Sequence, residues 1–287
     1  GIAWCVGITA MAYFLAMRAY RPCAEEEADM KRRPTQKDWL PLSRSERGAV
    51  EIPTGEAFRP EWIDFDHGIR VGNLEPHERI TQILKYGLEQ RHATPFVTDR
   101  WGRGVFWQWI CWVPRADREA KPISHDVNFG CAKLFITVDR GGKVFQSGLQ
   151  VERGSQPARD YDWHRLLEGC RPGTVLDREM TRLVRREGFT ARVIGSAGAA
   201  SFDARSFRSA AQVREAARKT PRGDWAGFQL YYPMSHAEVR ACSGMELVTA
   251  ILGVFGEVTE AMNQCMQVRL QGLDSLPNLL PPSSRQV

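Results

Sequence analysis

The chain has 287 residues, 43% of them hydrophobic and 25% charged, with a formal net charge of +5. That balance allows a sizeable core and excludes a disordered, fibrous or collagen-like protein. Of the 39 basic residues 32 are arginine, but they are scattered along the chain, so GC-rich coding explains them as well as an acidic partner does.

Residues 2–17 carry no charge, and the apolar character runs on to Tyr20. A membrane span takes roughly 20 apolar residues, with about 17 the lower limit, so residues 1–22 are a candidate single span. Trp4 and Tyr20 stand near its two ends, where aromatic rings favour the interface, and Arg18 and Arg21 have side chains long enough to snorkel. Lys31, Arg32 and Arg33 follow, placed to meet acidic lipid headgroups. By the positive-inside rule the main domain is then expected on the reducing cytoplasmic or matrix side. The alternative is a buried helix of a soluble intracellular protein. A secretory signal is not expected, because no basic segment precedes the apolar run and no small-residue cleavage site closes it.

Residues 23–75 mix acidic and basic runs with Pro34 and Pro41 and read as a charged linker or an arm lying on the domain, with a short edge strand within 61–73. Residues 76–270 read as the folded domain and 271–287 as a flexible tail. Pro76 suits a first helical turn, and Ile80, Ile83, Leu84, Gly87 and Leu88 mark one helical face. Strands are expected at 105–113, 133–138 and 143–151, the last two joined by the hairpin turn Asp139-Arg140-Gly141-Gly142. In the third strand Gln146 and Gln150 share a more polar face, which could line a groove for a polar ligand but is expected to meet water.

Asp160 is placed to cap a helix ending at Gly169. Thr174 and Asp177 cap another, with Leu176, Met180, Leu183 and Val184 on one face. "FTARVIG" and "WAGFQLYYP" read as strands and 206–219 as a helix. Ser243 and Glu246 form a capping box before the clearest helix, from Leu247 to Met266. Hairpins and irregular alternation of elements predict an α+β fold, with a mostly antiparallel sheet and helices packed on one face.

No GxGxxG, Walker, HExxH, EF-hand or GxSxG pattern occurs. Seven cysteines, an odd number with no CxxC pair, argue against a disulfide framework and a zinc ribbon. Cys131 lies close in sequence to His125 and Asp126, the residue types of a thiol nucleophile, its base and an orienting acid. A polar turn leading into a core strand accounts for the same residues. Asp160, Asp162 and His164 could together hold a divalent ion, or simply serve a helix N-terminus. No cofactor is expected.

"WGRGVFWQWICWV" carries four tryptophans, Trp101, Trp107, Trp109 and Trp112. Strict alternation would put Trp107, Trp109 and Cys111 on one side and Phe106, Ile110 and Trp112 on the other, the pattern of a strand covered on both faces. Trp107 and Trp109, with Arg103 and Arg115 beside them, are also the residues with which a base-stacking platform would be built. The leading expectation is a non-catalytic, membrane-anchored accessory or assembly component of a membrane protein complex. A soluble nucleic-acid-binding domain and a cysteine-dependent enzyme are the second and third.

Overall fold

The computed structural model describes residues 53–121, 130–154, 161–196 and 198–271. They form nine strands: β1 Ile63–Asp64, β2 Gly68–Arg70, β3 Phe96–Arg103, β4 Phe106–Pro114, β5 Lys133–Asp139, β6 Val144–Arg153, β7 Thr190–Gly195, β8 Gly198–Phe202 and β9 Ala226–Ser235. The α-helices are α1 Ile80–His92, α2 Arg115–Glu119, α3 Tyr161–Gly169, α4 Val175–Arg186, α5 Ala211–Arg218, α6 His236–Ala241 and α7 Gly244–Cys265. The fold is α+β, with one antiparallel sheet.

The strands run in the spatial order β3-β4-β5-β6-β9-β7-β8. The β1–β2 hairpin completes the sheet: β2 pairs with Phe106 and Trp107 at the start of β4, and β5 takes over the same edge from Trp109 to Trp112. Short-range chemistry sets the hairpins and helix starts. The Asp139 carboxylate accepts the Gly142 amide in the β5–β6 turn. The Thr174 and Ser243 side chains accept the Asp177 and Glu246 amides at the starts of α4 and α7.

One sheet face is the main core. Trp112, Leu134, Leu149, Leu230 and Ala191 are direct cross-strand neighbours from β4 to β7, and all are fully buried. Helices cover this face: the Trp112 ring packs on Phe255 of α7 and its indole Nε1 donates to the Thr81 carbonyl of α1, 3.2 Å away. Phe58, Trp62, Ile63, Phe65, Ile69, Val71 and Leu74 are buried too, and the turn around Gly55 packs against the start of α7. Residues 53–75 are therefore part of the packed domain, an arm laid on it rather than a solvated linker.

Among the described residues no helix is long and apolar enough to cross a membrane. The candidate span 1–22, the basic group Lys31, Arg32 and Arg33, and residues 272–287 of the tail lie outside the described residues.

Candidate functional site: a polar sheet face

Strict alternation along the tryptophan-rich strand does not hold. Trp101 pairs with Trp109 and Gly102 with Trp107, so Gln108 is an extra residue on β4 with no partner on β3. A bulge of this kind switches the side-chain faces on passing it. Trp109 keeps company with Trp101 on one face. Trp107 falls on the other, with Ile110 and Arg100, and the Arg100 guanidinium lies 3.5 Å from the centre of its ring. The neighbouring Gly102 has φ +144, and a Cβ there would come 2.7 Å from the Trp107 Cα, so the bulge needs glycine. Trp107 and Trp109 cannot form one stacking platform.

The Trp109 face is polar across the middle of the sheet. Lys133, Gln150, Gln229, Arg192 and Ser201 are direct neighbours on five successive strands, β5, β6, β9, β7 and β8. The Gln150 Oε1 accepts hydrogen bonds from Trp109 Nε1 at 3.0 Å and from Gln229 Nε2 at 2.8 Å. Lys133 forms an ion pair with Glu152, and its ammonium sits 5.5 Å from the centre of the Trp109 ring. Gln146 and Gln150, expected to meet water, are only 3% and 5% exposed. Burial works against the charge on Lys133, but the adjacent Glu152 more than offsets it and holds the ammonium above the usual lysine range.

Next to this row, Cys111, Phe135 and Tyr231 form an apolar cluster with Val113 and Cys131, against which Trp109 packs. Burial pushes the Cys111 thiol well up and the Cys131 thiol up to about 11. Neither sulfur is poised as a thiolate nucleophile. Lys133, held charged, is equally unsuited to attack as an amine.

The large exposed side chains of this face include two tryptophans. Trp101, beside Trp109, is 65% exposed. At the far end the Trp225 ring lies over Gly227, where it would meet a Cβ at 3.1 Å, and it is 38% exposed. Arg192, on β7 beside Gln229, is half-buried, with an Nε that has no hydrogen-bond partner.

A second buried cluster lies off the end of the sheet. Lys121 pairs with Asp117 of α2 and, at 3.1 Å, with Asp162 of α3. Asp162 Oδ2 also accepts the Ala132 amide at 2.6 Å, and Asp117 Oδ1 accepts the amides of Gln267 and Val268. The cation beside Asp162 is thus a lysine ammonium. His164 is exposed, away from the fully buried Asp162, and Asp160 lies outside the described residues. Among the described residues no three of His, Cys, Asp or Glu are grouped to hold a metal.

Of the other residues singled out from the sequence, Arg103 is exposed at the β3–β4 hairpin. Arg115 opens α2 and donates its backbone amide to the Pro95 carbonyl. Cys131 is buried, while His125 and Asp126 lie outside the described residues.

No family model, curated protein or solved structure matches this chain. Sequence reasoning missed Lys133, Gln229, Arg192 and Trp225. Their signal is the polar alternation inside each strand, such as Lys133, Phe135 and Thr137 against Leu134, Ile136 and Val138; which strands stand side by side was not visible.

Proposed function

We propose that this protein is a non-catalytic accessory or assembly component. It binds another protein through the aromatic rim of its polar sheet face, and residues 1–22 tether it to a membrane. The observation that carries the partner contact is Trp101, an indole 65% exposed on the outermost strand and backed by Trp109, which Gln150 holds in place. Interface energy concentrates in such rigid aromatic anchors, and Trp and Arg are the residues most enriched there. The inner residues of the face, buried and bonded to one another, serve as the stiff floor that positions the rim.

A protein partner is favoured over a nucleic acid because stacking successive bases needs several open rings together, and of the four tryptophans of this segment only Trp101 is exposed. The Trp107 ring is covered by Arg100, and Trp109 is half-buried. The tether rests on the apolar composition of residues 1–22 alone.

The test is the native size of the tagged full chain after mild detergent extraction. Trp101→Ala removes an exposed ring, so its stability is expected within about 0.5 kcal/mol of the parent, while the protein leaves its assembly and runs as the free chain. An assembly that survives in Trp101→Ala sinks the proposed contact, and one that nuclease dissolves replaces the protein partner with a nucleic acid. For the tether, the full chain is expected to stay with membranes through an alkaline carbonate wash and a chain lacking residues 1–22 to be released. Release of both removes the tether.

A further inference from the structure

The cluster at Lys121 is one positive charge short. Two carboxylates, Asp117 and Asp162, share a single ammonium, and all three side chains are almost wholly buried. Their hydrogen bonds are unequal. Asp117 takes two backbone amides on Oδ1 and Lys121 on Oδ2. Asp162 takes Lys121 and the Ala132 amide on Oδ2, while its buried Oδ1 has no partner. A bare, charged carboxylate oxygen in such a place is costly, and a proton removes its charge.

Among the described residues the other ionisable groups around it do not supply the missing charge. Lys121 is the only described ammonium bonded to Asp162. The nearby thiols, Cys131 at the start of β5 and Cys265 on α7, are both pushed up by burial and stay neutral near pH 7. Lys133 is committed to Glu152.

The position gives that proton a structural role. The cluster ties together four stretches of chain: α2 with Lys121 after it, the start of β5 at Ala132, the first turn of α3, and the segment after α7 that Asp117 holds by the Gln267 and Val268 amides. We propose that Asp162 carries a proton in the folded protein and that its loss near neutral pH weakens this four-way joint, making the domain's stability pH-sensitive in that range.

Burial, and then the neighbouring Asp117 charge, raise the Asp162 carboxyl to about 7, against opposition from Lys121. In the unfolded chain the same group ionises near pH 3.9. Across the window from about 4 to about 7 the fold thus binds one proton more than the unfolded chain, and stability falls as pH rises. Below and above the window this group adds no slope.

The experiment is the unfolding equilibrium of the full chain measured between about pH 5 and about pH 8, parent against Asp162→Asn. The parent's unfolding constant is expected to rise up to about tenfold per pH unit below about pH 7 from this group. In Asp162→Asn that contribution is missing, so the ratio of the two constants changes with pH. A ratio that stays constant overturns the proposal, and taking the ratio cancels the histidines that titrate in the same range. Should Asp162→Asn fail to fold, infrared spectra of the parent decide: a carboxylic-acid carbonyl band is expected at about pH 6 and is lost by about pH 8. No band at the lower pH overturns it.

Discussion

Lys133→Met is expected to destabilise the domain by about 3–5 kcal/mol in a denaturant titration, because it leaves the Glu152 carboxylate buried without its partner. The two sit on neighbouring central strands, on the polar face and under the Trp109 ring. Replacing both, Lys133→Met with Glu152→Met, is expected to restore most of the loss, since an apolar pair of similar volume carries no desolvation cost. The contrast between single and double variants is the diagnostic part. A single variant that costs under about 1 kcal/mol would mean that the pair is solvated and that this face is no rigid floor.

The second large effect concerns the opposite face. Trp112→Ala is expected to cost about 3–5 kcal/mol, lowering the midpoint of thermal unfolding without changing the antiparallel sheet content. Trp112 is wholly buried between β4 and the helices, where its ring meets Phe255 and its Nε1 donates to the Thr81 carbonyl. Truncation leaves a cavity and deletes the indole's hydrogen bond. Trp112→Phe keeps most of the volume and is expected to lose far less. Equal losses for the two variants would contradict helix packing over this part of the sheet.

How far the sequence could be read depended on the range of the interactions. Helix starts are local, so the Ser243–Glu246 box and the Thr174–Asp177 cap were legible, as was the β5–β6 turn. The helix expected over 206–219 forms only from Ala211, because Asp203, Ser206 and Gln212 bind the preceding backbone in turns. Strand β3, "FVTDRWGR", hid because its charged residues break the alternation, and β8, "GAASF", because small residues give no pattern.

The candidate face was the least legible part. Its bonds join Trp109 to Gln150, Lys133 to Glu152 and Gln150 to Gln229, residues distant in sequence that only strand order brings together. The bulge at Gln108 was hidden for the same reason, since an extra residue is defined only against a partner strand. That one residue separated Trp107 from Trp109 and left Trp101 as the exposed ring. Asp162 was picked out as an acid near a helix start, which it is, but its buried neighbours Asp117 and Lys121 come from another helix and the turn after it.

The partner is proposed to dock on the rim of the polar face. Hydroxyl-radical footprinting of the full chain tests it most directly, performed on the native assembly and on the purified chain alone. Trp101 and Trp225 are predicted to oxidise readily in the free chain and to be protected in the assembly, with buried Trp112 and Trp163 slow in both. Equal oxidation of Trp101 in the two samples, with protection elsewhere on the surface, would contradict the account and move the interface off this face.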